Sequence, residues 1–210
     1  MPKKIYDKEL ILDACMEVFA NRGYENTSTN MLAEAAGISR TLIFHHFKGK
    51  KELYLYLLDR CFEKGKSEMG FDILPEYEDF FEAKEKFSIV KFEYYKKNPI
   101  LYKFVIEAFY KTPDELKHEI EEKYGELISN KNTMWEQLFK KVELKEGIDP
   151  NQAYQLVMLT LDYCDNKYLL NIEDNNLDEV NLQEFIEERN SFLTMIRCGI
   201  EKREGGIRKI

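Results

Sequence analysis

Residues 28–47 carry the spacing that most restricts the fold of this chain. Ala33, Gly37, Ile38, Ile43 and Phe47 stand where a helix-turn-helix needs a small residue at the crossing, a turn residue, a plug at the junction and two apolar anchors. Polar Asn26, Thr27, Ser28 and Thr29 offer N-caps for a short helix through Ala36. Gly37 supplies the residue type that turns a chain in the left-handed region, and Ser39 caps the helix that follows. Structural helical hairpins share this spacing, so on its own it leaves both a DNA reader and a purely structural pair open.

Helical periodicity extends over the rest of the chain. Ile11, Ala14, Cys15, Val18 and Phe19 repeat at three and four residues behind a cap at Asp7, and the pattern ends near Gly23. Gly49 precedes Lys50, Lys51 and Glu52 before the apolar run Leu53–Leu58 of a fourth helix. Breaks at Gly65, Gly70–Pro75, Asn98–Pro99, Thr112–Pro113, Gly147–Pro150 and Glu173–Asn176 mark off five further helical segments. Phe80, Phe81, Phe87, Phe92, Tyr94 and Tyr95 put aromatics on several sides of one of them, which predicts a central helix. The expectation is an all-α chain of about nine helices. It divides into a three-helix head at 1–52, a helical domain at 53–200 and a frayed tail at 201–210.

Charge separates the head from the remainder. Residues 1–60 hold nine basic and eight acidic side chains, whereas residues 61–210 hold 22 against 31. The net charge of -8 excludes a protein that coats nucleic acid through bulk charge, so any DNA contact has to be local. Ile38–Lys51 is such a locality, with Arg40, Lys48, Lys50 and Lys51 and no acid. Arg40 in a first helical turn opposes the macrodipole at about 0.3–1 kcal/mol, a cost that a phosphate or a guanine edge would offset.

Other classes find little support. Cys15, Cys61, Cys164 and Cys198 lie far apart without a C-x-x-C, so they read as buried free thiols, and neither a metal site nor any other cofactor is signalled. No nucleophile elbow, phosphate loop or metal-spaced cluster points to an enzyme. Leu156–Leu161, six residues long like Leu53–Leu58, falls far short of the ~20 residues that span a bilayer. The start lacks an apolar signal segment, and the expected location is the cytoplasm, away from membranes.

Three ordered runs carry a family resemblance: Phe19–Thr29, then Leu32-Ala33-Glu34-Ala35-Ala36-Gly37-Ile38-Ser39-Arg40, then His45-His46-Phe47-Lys48-Gly49-Lys50-Lys51-Glu52-Leu53. Together they resemble the N-terminal domain of TetR-family transcriptional regulators. The resemblance covers the first quarter of the chain. It implies a homodimer that grips a palindromic DNA operator with two heads, represses transcription, and releases DNA when a small-molecule inducer binds the C-terminal domain. By position it places Arg40, Thr41, Leu42, Phe44, His45 and His46 on the recognition helix, starts the supporting helix at Thr27, Ser28 and Thr29, and gives Lys48 and Lys50 to phosphate. Leu42 and Phe44 depart from the family, which often carries phosphate-binding hydroxyls there. That shifts anchoring toward Lys48, Lys50, Thr27 and the Pro2-Lys3-Lys4 arm.

Dimer and ligand site are then expected in the C-terminal domain. A stripe through Leu182, Phe185, Ile186, Arg189, Phe192, Leu193 and Ile196, with Leu156, Leu159, Tyr163 and Leu170 from the preceding segment, suits a four-helix dimer interface. Tyr94, Tyr95, Tyr102, Phe104, Phe109, Trp135 and Tyr163, with Glu107 or Asp162 as charged partner, are the candidates for a ligand cavity. The acidic, Tyr-rich composition leans toward a cationic or neutral amphipathic inducer. The competing reading is a helical ligand carrier or interaction protein with a vestigial helix-turn-helix, which Leu42 and Phe44 keep open.

Overall fold

A computed structural model describes residues 7–69, 77–170 and 182–202. The described chain is helical: α1 (Lys8–Arg22), α2 (Thr29–Ala35), α3 (Arg40–Phe47), α4 (Lys50–Met69), α5 (Phe80–Lys97), α6 (Pro99–Tyr110), a 3-10 turn (Asp114–Leu116), α7 (Lys117–Phe139), α8 (Pro150–Leu170) and α9 (Leu182–Ile200). Among the described residues no helix is long and apolar enough to cross a membrane.

Caps set the helix starts. Asp7 accepts the Glu9 N–H at 2.9 Å, Ser28 that of Met31 at 3.3 Å, Ser39 that of Leu42 at 3.2 Å, Asp79 that of Glu82 at 2.8 Å and Asp149 that of Gln152 at 2.8 Å. Pro99 sits at the first turn of α6, where a missing N–H costs nothing. Gly65 does not break α4. It lies buried in register with Tyr54, Leu57, Leu58 and Cys61, and the burial of that stripe outweighs the ~1 kcal/mol propensity cost of a mid-helix glycine.

The chain forms two compact units, residues 1–73 with 97–126, and residues 74–96 with 127–210. In the first, Leu12, Cys15 and Phe19 of α1 are fully buried, and the Phe19, Tyr54 and Phe104 rings meet at 4.8–6.2 Å to join α1, α4 and α6. In the second, Phe80, Phe81, Trp135, Phe139, Val157 and Leu193 form the core of α5, the end of α7, α8 and α9. Expected breaks at Gly70–Pro75 and Glu173–Asn176 fall outside the described residues, as do the Pro2-Lys3-Lys4 arm and most of the tail. Glu201 and Lys202 are held, however: the Lys202 N–H donates to Glu143 O at 2.7 Å, and the Lys145 N–H donates to Ile200 O at 2.7 Å. Cys15, Cys61 and Cys164 are buried free thiols, whereas Cys198 is exposed. Burial pushes Cys15 up to about 11 and Cys61 up to about 12, so both stay protonated and unreactive near neutrality.

Candidate nucleic-acid interface

Residues 29–47 fold as two short helices about a tight turn. The Ile38 N–H donates to Ala33 O at 3.0 Å across that turn, and Gly37 takes a φ of 63°. Ala33 and Ile43 are buried, and the Phe47 ring meets that of Tyr56 at 5.3 Å, tilted by 55°, so α3 rests on the head by its apolar side. Arg40, Thr41, His45 and His46 consequently stand exposed on the other side, with Leu42 half-buried between. The side chain of Phe44 lies outside the described residues. The His45 and His46 rings meet edge to face at 5.0 Å, and no group of three metal-ligating side chains occurs among the described residues.

The cations of the segment divide. Lys48 is exposed and holds a φ of 58°, a left-handed conformation that a side-chain-bearing residue rarely adopts. Lys50 instead folds back, donating to Tyr24 O at 3.0 Å with its ammonium 3.9 Å above the Tyr24 ring. Lys51 pairs with Glu119. Thr27 is likewise drawn inward: it is buried and its hydroxyl donates to Gly23 O at 2.7 Å, closing the turn after α1. Thr27 and Lys50, both expected to anchor phosphate, each bond to the head's own backbone. Ser28 uses its oxygen as a cap, and Thr29 opens α2 half-buried. Exposed Arg40, Thr41, His45, His46 and Lys48 remain as the outward polar face.

Glu107, expected as a ligand's counter-charge, is engaged by the protein itself. Its carboxylate accepts the Tyr54 hydroxyl at 2.5 Å and the Tyr24 N–H at 2.8 Å, tying α6 to the end of α1 and to α4. Tyr102 is buried in the first unit, and Phe109 packs on Phe62 and Tyr124. In the second unit Trp135 is a core residue against Phe80 and Phe87, Tyr95 is half-buried against Tyr94, and Tyr163 faces outward at 54% exposure. The aromatics expected to share one cavity are thus core, helix-joining and surface residues. A cleft of about 420 Å³ does exist in the first unit, between α1, α4 and the start of α6. Its polar groups pair with one another, Arg60 with Asp13 at 2.7 Å and Lys64 with Asn98 at 2.8 Å.

The expected dimer stripe also divides. Phe185 and Arg189 point into the second unit and are buried, Phe192 and Ile196 are half-buried, and Leu156 and Tyr163 are outward. Leu159 and Met195 extend the outward set, at 68% and 60% exposure. Composition alone does not flag Met195, because a helix of mixed faces shows its outer side only once its inner side is packed. The Leu170 side chain is outside the described residues.

Residues 11–57 match the model of bacterial regulatory proteins of the tetR family. The chain is 27% identical over 203 residues to the fatty acid metabolism regulator protein of Bacillus subtilis, covering 92% of this chain and 95% of that one. The HTH-type transcriptional repressor AcnR of Corynebacterium efficiens is 42% identical over 55 residues, 26% of this chain and 29% of the relative. The fold is that of a TetR family regulator from Chloroflexus aurantiacus (TM-score 0.70, 18% identity, 93% and 94% of the two chains). It is also that of FadR from Bacillus subtilis crystallised with stearoyl-CoA (TM-score 0.61, 20% identity, 93% and 100%). The head thus matches the tetR-family model over residues 11–57, and the chain is similar to a curated transcriptional regulator over nearly its whole length and to TetR family regulators in fold.

Proposed function

We propose that this regulator works as a homodimeric repressor, two α3 helices reading the half-sites of a palindromic operator until a small molecule bound by the helical domain dismisses it. The observation that carries the reading is the outward face of α3, with Arg40, Thr41, His45 and Lys48 exposed above buried Ile43. A single short helix reads too few bases, whereas two heads spaced ~34 Å apart meet successive major grooves. Outward Leu156, Leu159 and Tyr163 on α8, with Phe192 and Met195 on α9, supply an apolar face for the second copy. Fatty acid metabolism in the name of a nearly full-length relative, and stearoyl-CoA in the FadR structure, favour an acyl compound as inducer over the cationic one that composition suggested. Ligand release requires differential affinity for two states, about 5.5 kcal/mol for a shift from 99:1 to 1:99.

A gel shift against the promoter of the chain's own gene, run over a salt series, tests this. Specific binding exceeds non-specific binding by ~10³-fold or more. Arg40→Ala loses about 1–3 kcal/mol of discrimination, and Lys48→Ala lowers the salt slope by about one phosphate. Unchanged duplex affinity in both variants would overturn the reading and leave the carrier with a vestigial head.

A further inference from the structure

Arg189 is the most unusual side chain of the second unit. It is 1% exposed and occupies one register of α9 with buried Phe185 one turn before it and buried Leu193 one turn after. Its Nη1 donates to Asn190 Oδ1 at 3.2 Å, and the Asn190 amide in turn donates to Glu85 Oε1 at 2.9 Å, so the guanidinium is held from one side. Among the described residues Nε and Nη2 have no hydrogen-bond partner. The carboxylates that act on Arg189 through charge are Asp165 and Glu85, and both are engaged elsewhere: Asp165 with Lys91 at 2.8 Å, Glu85 with Asn190.

The identity of the two orphaned atoms matters. Nε–H and the adjacent Nη2–H are parallel donors on one edge of the guanidinium plane, the edge that meets a carboxylate or phosphate with two hydrogen bonds at once. Buried N–H groups without an acceptor are rare and costly, more so on a charged group. A second buried cation lies in the same unit: Lys84 of α5 is 6% exposed, and its ammonium rests on the Trp135 ring at 3.9 Å. Phe185 and Leu193, above and below Arg189 on the helix, make its surroundings apolar, and the free edge suits an acidic group.

We propose that the Nε–Nη2 edge of Arg189 anchors the oxyanion, carboxylate or phosphate, of an otherwise apolar ligand in the second unit. This rests on the reading of the chain as ligand-responsive and adds to it the charge of the ligand and the residue that selects it. Asn190 and Glu85 are positioning residues that orient the guanidinium.

Calorimetric titration of the full-length protein with decanoate, decyl phosphate, decanol and stearoyl-CoA tests the proposal. The wild type binds at least one of the two decyl acids about ten- to a hundredfold more tightly than decanol, as two charge-assisted hydrogen bonds predict. Decanoate and decyl phosphate distinguish a carboxylate from a phosphate as the preferred end. Arg189→Met removes the preference for acid while leaving decanol binding within about twofold, and Arg189→Lys, which keeps the charge but not the paired donors, loses most of it. Exchange of a buried, half-satisfied cation for an apolar residue of similar size leaves the free protein as stable or more so, which a melting curve checks. Decanol binding as tightly as both acids to the wild type, an acid preference that survives in Arg189→Met, or no binding of any probe would overturn it. Operator release separates this failure from failure of the repressor reading. If stearoyl-CoA frees operator equally from wild type and Arg189→Met, the repressor stands and the anchor falls. If decanoate binds through Arg189 and no probe frees operator, the anchor stands and the release reading falls.

Discussion

The hydroxyl of Tyr54 donates to Glu107 Oε2 at 2.5 Å, and the other oxygen of the same carboxylate takes the Tyr24 N–H. One side chain of α6 thereby fixes both α4 and the exit of α1. Burial, and then Glu107, raise the Tyr54 phenol above its ordinary range, so it stays a donor at any physiological pH. Gly23 is bound into the same arrangement: its φ is 75°, and a Cβ there would stand 3.0 Å from Glu107 Oε1.

Glu107→Ala leaves a buried hydroxyl and a backbone N–H without an acceptor, and the expected loss is about 2–4 kcal/mol in urea denaturation. Tyr54→Phe removes only one donor and costs about 1–2 kcal/mol. The double variant loses less than the sum, because the two changes break one shared bond. Fully additive losses would show that the groups act separately.

Lys48 is held in a left-handed conformation at the α3–α4 junction, where glycine would sit without strain. Lys48→Gly should raise head stability by about 1 kcal/mol, the release of that strain. It should also weaken operator binding, as Lys48→Ala does. A destabilised Lys48→Gly protein would mean that the side chain contributes more than its backbone costs.

Lys84 links stability to pH. Burial, and next the charge of Lys131, lower its ammonium from an ordinary 10.5 to about 7. Between these values the unfolded chain holds a proton that the folded chain lacks, so stability rises with pH across that window. Below about 7 both states are protonated and the penalty for the buried charge is complete, offset in part by the Trp135 ring. Lys84→Met should therefore raise the melting temperature most near neutral and acid pH, by roughly 1–4 kcal/mol in stability, with a narrowing gain as pH approaches 10. A gain that is flat or widens with pH would contradict the assignment.

Leu159 stands 68% exposed on the side of α8 that carries Leu156 and Tyr163. A glutamate there places a charge in the proposed contact between copies. Sedimentation velocity should show Leu159→Glu as a monomer, and operator affinity should fall on the order of a hundredfold or more as the two heads uncouple. A dimeric Leu159→Glu protein would move the interface to another face.

Much of the head was legible because its signals are local. Asp7, Ser28 and Ser39 cap the helices that follow them, and Gly23 and Gly37 take the positive φ that ends a helix or turns the chain. Each depends on atoms within a few residues. Gly65 misled for the complementary reason: its local preference for a break is overridden by a stripe of buried neighbours that continues α4.

The amino-acid order by itself determined the helices, the helix-turn-helix and its acid-free basic edge, because caps, turn residues and periodicity act over one or two turns. Which polar side chains face outward was decided only in the tertiary structure. Lys50 and Thr27 bond back to the head, Glu107 joins three helices, and Arg189 turns inward from a stripe that otherwise reads as interface. A long or charged side chain takes its direction from the partner it meets, and those partners lie up to 105 residues away along the chain.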